Sequence, residues 1–526
     1  MSELDTAQVD ALFAEWGRED SPGCALGVIQ GGELVYARGY GSANLDLGVP
    51  LSPHSVLHVA SVSKEFTAIA AGILDRQGKL SLDDDIRKYV PEMPDLGHAI
   101  TLRHLIHHTS GLRDQYGLFR LAGWRDEDVQ TFDDVLDFAF RHRRLNFEPG
   151  AEYTYCNTSY TLLALTVERV SGQKYRDFVR EQIFEPLGMT QSHFHDDVTE
   201  IVPNRASAYE KKDGGGFKVE DSNVSAVGAI CLYTSVEDLA KWVRNFQTHE
   251  VAGDVLDEAF TAGPLNDGMT QNYGFGLQIG RYRSLKTISH GGVDSGYRAE
   301  LLWFPEVDFG VVILANLSQF KPGWMARKVA DLYLGEKLSA DEMLDAPAID
   351  LPEVDLAALS GLYRDDRRSL TRRVELRDGK LRVSIFEESL ELVPFGNGRF
   401  RLGTPPSEIQ IRPNDDGTLE YHEVLAGGKR HIYVRTEPAT PDAETLANYA
   451  GSYYCPELDA RYTLLVRDGT LIRRLRKAAD RELKPTVADA FSAGSVDIVF
   501  TRDGRGDVNG FEIFTERIRY LRFDRM

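Results

Sequence analysis

Basic residues are scarce beside acidic ones. In 526 residues, 60 Lys and Arg stand against 81 Asp and Glu, giving a formal net charge of −21 and a pI near 5.1. A polyanion or an anionic membrane surface would be repelled by such a chain, so neither nucleic acid nor membrane is expected as a partner. Cysteine is nearly absent. Cys24, Cys156, Cys231 and Cys455 occur singly, too few for a disulfide framework and without the paired spacing of a metal site. No metal or other cofactor is therefore expected. Long apolar runs are missing too: none reaches the roughly 20 residues of a membrane-spanning helix. The first residues, Met1-Ser2-Glu3-Leu4-Asp5-Thr6, lack the basic and apolar regions of a signal peptide, which predicts a cytoplasmic protein.

What is present is ample apolar material, 42% hydrophobic and 10% aromatic residues, enough for a full globular core. The length predicts about three domains. The chemistry begins at Ser61-Val62-Ser63-Lys64, where a strand-like run (55–60) gives way to an apolar helical run (65–74). Residues i and i+3 share a helix face, so the Ser61 hydroxyl and the Lys64 amine can meet. A serine needs an adjacent base to become a nucleophile, and a lysine kept partly neutral by burial or a neighbouring cation can supply one. A helix start would also place backbone N–H groups beside Ser61, one of which could hold an oxyanion.

Two further elements follow in order. Tyr155-Cys156-Asn157 comes after the turn signal Pro149-Gly150 and precedes a helical run (158–170). Tyr155 can act as a base or relay beside a lysine, and Asn157 can orient the lysine or donate to a substrate carbonyl. Cys156 reads as a small packed thiol, because Ser61 already supplies a nucleophile. His290-Gly291-Gly292 lies between strand-like segments at 273–278 and 300–305, so it reads as part of an antiparallel sheet with close backbone approach at its glycines. That strand edge can supply a second oxyanion N–H, that of Val293.

Ser-x-x-Lys, Tyr-x-Asn and a His-x-Gly triplet in this order resemble the serine β-lactamase and penicillin-recognising hydrolase superfamily. Leu102 to Leu112, Phe184 to Thr190 and Ala229 to Ala240 look like further segments of it, over roughly residues 8–335. A linker-like stretch at 336–352 is followed by an internal repeat. Leu359 to Tyr363 matches Tyr449 to Tyr453, and Arg377 to Leu381 matches Arg467 to Leu471, both at an offset of 90 residues (361 and 451; 378 and 468). Short strands broken by Asp-Gly turns suggest a small antiparallel barrel in each copy.

The expected architecture is multidomain. An α+β serine β-lactamase-like domain at 1–335, with an antiparallel sheet flanked by helices, precedes two antiparallel β-barrels at 353–437 and 442–526. That plan is similar to the D-aminopeptidase branch of the superfamily, as are Glu457-Leu458-Asp459-Ala460 and the segment from Tyr273 to Leu277. The resemblance implies a cofactor-free acyl-enzyme mechanism. Ser61 attacks, Lys64 or a Tyr155–Lys64 pair removes its proton, and the Ser61 and Val293 N–H groups hold the oxyanion. His290 keeps Tyr155 in the right protonation state, with a charge that varies near neutral pH. Val293 stands where carboxylate-binding relatives carry Ser or Thr, which speaks against a free carboxylate next to the scissile bond. In the branch a loop of the last barrel supplies an acidic group for the substrate amine. Asp480 is the expected equivalent, with Glu482 second, and Gln278 matches an amide position near the pocket. The expected partner is a small peptide, amide or ester, with release of an N-terminal D-residue such as D-Ala as the leading activity. A carboxylesterase, β-lactamase or D-Ala carboxypeptidase activity is the alternative. A homodimer is compatible with this plan.

Overall fold

The computed structural model describes residues 6–385, 388–403, 407–424 and 430–526. Its first part is built on a six-stranded antiparallel sheet of β1 (Cys24–Gln30), β2 (Glu33–Tyr40), β3 (Gln278–Tyr282), β4 (Leu285–Asp294), β5 (Tyr297–Phe304) and β6 (Phe309–Ala315). The spatial order is β3-β4-β5-β6-β1-β2. A tight Gly-Gly hairpin joins β1 to β2, with Gly31 and Gly32 in left-handed conformations. Side chains of a strand alternate between faces, and both faces of this sheet are covered. Leu26, Val28, Val311 and Ile313 join one buried cluster, while Ala25, Ile29, Val312 and Leu314 join another.

Four helices matter for the site: α1 (Ser63–Arg76), α2 (Asn157–Ser171), α3 (Val236–Thr248) and α4 (Pro322–Leu334). The last two cover opposite faces of the sheet, through Val236 and Val243 in one cluster and Met325 and Val329 in the other. Ser235 caps α3 by accepting from the Asp238 N–H. α1 runs through the core and buries eleven of its residues, including Ser63, Lys64 and Glu65. The segment 273–278, read as strand-like, is mostly loop, and β3 starts only at Gln278. Gly276, with a φ of +72°, explains why. A Cβ there would sit 2.3 Å from the Glu65 backbone nitrogen, so this loop passes directly over the start of α1.

The C-terminal part forms two closed eight-stranded antiparallel barrels, with strands from Gly361–Asp365 to Arg430–Thr436 and from Gly451–Cys455 to Leu521–Arg525. The 90-residue offset holds beyond the matched motifs. A short helix, Glu353–Leu359 or Ala443–Tyr449, leads into each barrel. The second barrel continues the hydrophobic core of the first part, through Tyr462, Leu475, Ile518 and Leu521 among others.

Candidate active site

The turn carrying Ser61 is held from three sides. Val59 N–H donates to Leu232 O at 3.0 Å, Leu232 N–H donates to Ser63 Oγ at 3.0 Å, and Ser63 Oγ donates to Ala60 O at 2.6 Å. Ala60, just before the candidate nucleophile, has a φ of +47°, a left-handed conformation that costs a non-glycine residue of order 1–3 kcal/mol. Two more left-handed residues border the site, His108 (φ +59°) and Cys231 (φ +77°). Both are fixed by hydrogen bonds: Cys156 N–H donates to His108 Nδ1 at 3.1 Å, and Cys231 N–H donates to His58 Nε2 at 3.0 Å. Strain of this kind persists where the surroundings over-determine the backbone.

Lys64 is fully buried. Its Nζ lies 2.8 Å from Asn157 Oδ1, 2.8 Å from Ala229 O and 3.1 Å from Ser61 Oγ. Burial pulls its pKa well below the ordinary lysine value, with the Asp114 carboxylate the main opposing influence. Asn157 stands on the first turn of α2. Its Nδ2 donates to Asp114 Oδ2 at 2.6 Å, which turns its carbonyl oxygen toward Lys64. An uncharged amine has two hydrogens and one lone pair. The ammonium donates to all three oxygens; once deprotonated, with its two hydrogens on the nearer carbonyls, it can offer its lone pair to the Ser61 hydroxyl.

Burial raises the pKa of the Tyr155 phenol, so at neutral pH it keeps its O–H. Its ring faces Lys64 Nζ at 4.8 Å and packs 4.3 Å from His108. His290, on β4, differs from expectation. Its Nδ1 donates to Gly291 O at 2.7 Å and its Nε2 accepts from the Tyr273 hydroxyl at 3.0 Å. Burial, with the nearby Lys64, pushes its pKa down to about 3. His290 is thus a neutral imidazole at physiological pH. It holds Tyr273 and does not carry the variable charge expected from the sequence.

The pairing of β3 with β4 ends at Gln278 and Ser289. Beyond it, the edge of β4 from His290 to Asp294 lies against the Ser61 turn. A Cβ on Gly292 would sit 2.1 Å from Val59 O, so only glycine permits this approach. Val293 is exposed at the cleft. The cleft, about 660 Å³, gathers Ser61, Tyr155, Asn157, Gln278, His290, Gly292 and Val293. Every expected site residue except Lys64, which is buried beneath it, and the acidic candidates Asp480 and Glu482 therefore lines one space.

Asp480 lies elsewhere. It follows the strand Thr470–Leu475 and pairs with Arg467 and Arg474 at 2.8 and 2.9 Å on an exposed surface. Glu482 sits on the next strand, opposite Ile472. The hairpin at 476–480 does not line the Ser61 cleft; Arg476 and Lys477 border a separate depression with Gly123 and Trp124. The segment of the second barrel that does reach the cleft is Thr515 to Tyr520, which brings in Arg517. Arg517 also borders a second cavity of about 350 Å³ at the first barrel, with Tyr153, Arg372 and Glu423 in its lining. Sequence reasoning missed Arg517, Asp114, His108 and Tyr273. His108 and Tyr273 lay in segments already noted, but neither segment signals what its residues touch.

Away from the cleft, His193, His195 and Glu200 bring ligand-type atoms within 4.8 Å of one another, a grouping not anticipated from the sequence. Arg176 pairs with the Glu200 carboxylate at 2.9 Å. Among the described residues, no helix is long and apolar enough to cross a membrane.

The family model described as Beta-lactamase matches residues 9–334, more than half of the chain, and the chain belongs to that family. Its likeness extends through both barrels to the D-aminopeptidase-like branch. A protein named D-aminopeptidase from Gluconobacter oxydans (strain 621H) is 26% identical over 547 aligned residues, covering 100% of each chain. Penicillin-binding protein 4* of Bacillus subtilis (strain 168) is 27% identical, covering 83% of this chain and 100% of its own. The structure of an octameric penicillin-binding protein homologue from Pyrococcus abyssi matches with a TM-score of 0.58 at 21% identity, over 90% of this chain and 99% of that one.

Proposed function

We propose that this protein is a serine hydrolase that cleaves amide bonds following an N-terminal D-residue, by way of an acyl-enzyme on Ser61. The observation that carries this is the Lys64 amine, buried, depressed in pKa and 3.1 Å from Ser61 Oγ. The full-length likeness to the Gluconobacter D-aminopeptidase supports the substrate class.

Ser61 Oγ attacks the carbonyl carbon and its proton passes to Lys64 Nζ. The oxyanion is received by the N–H groups of Ser61 and Val293, each donor worth about 3–4 kcal/mol in such sites. As the C–N bond breaks, Tyr155 O–H protonates the leaving nitrogen, and the proton held by Lys64 restores the phenol. Water then attacks the ester with its proton taken by the same pair, and that proton returns to Ser61 Oγ as the acyl C–O bond breaks and the acid leaves. Between the two candidate bases, the opposite pKa directions favour Lys64. The lysine is pushed toward its neutral form and the phenol away from phenolate.

The test is a panel of D-Ala and L-Ala p-nitroanilides with a short-chain p-nitrophenyl ester. Selective turnover of the D-anilide is expected. Cleavage of the ester alone would instead place the protein with carboxylesterases of the same fold.

A further inference from the structure

The Ser61 cleft is cationic in a chain of net charge −21. The charged residues lining it are Arg298, Glu300, Lys321, Arg327 and Arg517. The one acid among them is spent, since Glu300 is buried and bound by Arg327 at 3.3 Å. No free carboxylate is left there among the described residues to receive a substrate amine.

Arg517 differs from the other cations in how it is held. Its backbone is clamped while its guanidinium is left open. Asn146 Nδ2 donates to Arg517 O at 2.9 Å, and Arg519 N–H donates to Asn146 Oδ1 at 2.7 Å. Arg113, fully buried, donates to Arg519 O and Tyr520 O at 3.1 Å each and pairs with Glu457. Arg519 forms a forked pair with Glu152 at 3.3 and 3.0 Å. Ile518 is buried against Gly117, where a Cβ would come within 2.6 Å of it. Among the described residues, the Arg517 guanidinium has only the flank of Tyr155, 4.9 Å from the ring centre, and the Asp114 carboxylate at 3.9 Å, beyond hydrogen-bond reach. That carboxylate is already engaged by the Asn157 N–H, Asn157 Nδ2 and the Tyr116 N–H. A guanidinium forks well onto a carboxylate, and a pre-positioned one loses little entropy on binding.

We propose that Arg517 anchors a carboxylate on the leaving-group side of the substrate, so that the enzyme prefers short D-aminoacyl peptides ending in a free carboxylate over their amides. The leaving-group side follows from Tyr155, the proton donor to the departing nitrogen, which Arg517 flanks. This rests on the proposed hydrolase function for the direction of cleavage, and it replaces the amine recognition expected of Asp480. It also answers the absence of a hydroxyl at Val293, because the anion is met by the second barrel and not by β4.

The test compares D-alanyl-glycine with D-alanyl-glycinamide, whose leaving residue is achiral. Two readouts are used: kcat/KM for the wild type, Arg517→Gln and Arg517→Lys, and calorimetric binding to Ser61→Ala and to Ser61→Ala/Arg517→Gln. The wild type should favour the free acid roughly 10- to 100-fold, as expected for a charge-assisted hydrogen-bonded pair. Arg517→Gln should bring that ratio near one, and Arg517→Lys should keep part of it. Binding to Ser61→Ala should show the same acid preference and lose it in the double variant. Equal handling of acid and amide by the wild type, an unchanged ratio in Arg517→Gln, or no binding of either compound would overturn the anchor. Arg517-dependent binding of the acid without turnover would leave the anchor standing and remove the hydrolase function proposed above.

Discussion

At Lys64, the amine nitrogen lies within hydrogen-bond distance of two carbonyl oxygens and of Ser61 Oγ, and burial pulls its pKa down. A base of this kind acts only when unprotonated, so kcat/KM should rise with pH through one ionisation lying well below the ordinary lysine value. His290, with its pKa pushed down to about 3, is already neutral across that range. His290→Asn should therefore lower kcat/KM about tenfold, a loss of ~1.4 kcal/mol, by releasing Tyr273. It should leave the acid limb where it was. A limb that moves in this variant would show that His290 titrates with activity, which a pH–rate profile reads directly. Ser61, Lys64 and Asn157 were legible from the sequence because they stand at helix starts, and Tyr155 because it lies two residues before one. The neutrality of His290 was not, because it depends on burial and on Tyr273, 17 residues upstream.

At the scale of the element, α1 carries a second buried ionisable residue directly after the base. Glu65 accepts from Trp242 Nε1 at 2.9 Å, and burial pushes its carboxyl pKa up from 4.5 to about 8. An acid whose folded-state pKa lies above its unfolded value is most stabilising as the protonated form. Its contribution is full below about pH 4.5, declines as pH rises, and is lost at about pH 8. Over that window the wild type should lose a few kcal/mol, about 4 at most. Glu65→Gln, which keeps an acceptor for Trp242, should lack this decline. Urea unfolding of both proteins at pH 5, 6.5 and 8 measures it, and parallel pH dependences would contradict it. The helices that follow Ser61 and Tyr155 were readable from their apolar runs, whereas the central strands, buried on both faces, show no apolar/polar alternation. The loop at 273–277 was misread because Tyr-Gly-Phe-Gly-Leu alternates like a strand. Its glycines serve instead to bring it over α1.

At the scale of the whole molecule, the 90-residue repeat made both barrels legible, because Asp-Gly turns recur wherever hairpins recur. Which barrel loop enters the cleft was not legible, since an acidic residue was sought and a basic one is present. The deciding contacts are the buried pair of Arg113 with Glu457 and the backbone bonds of Asn146 to Arg517 and Arg519. Glu457, noted in the sequence only as part of a resemblance, has here a physical role. Removing one partner of a buried ion pair costs about 3–5 kcal/mol. Glu457→Gln should accordingly lower stability by that order and expose the 515–520 segment to proteolysis, whereas Asp480→Asn, on the surface, should change neither. The central claim is the covalent intermediate on Ser61. Its most direct measurement is an acid quench during turnover of a D-alanyl p-nitrophenyl ester, followed by the mass of the peptide containing Ser61 and Lys64. The account predicts one D-alanyl group on that peptide in the wild type, with neither adduct nor turnover in Ser61→Ala. Steady turnover with no adduct in the wild type, or turnover that survives in Ser61→Ala, would contradict it.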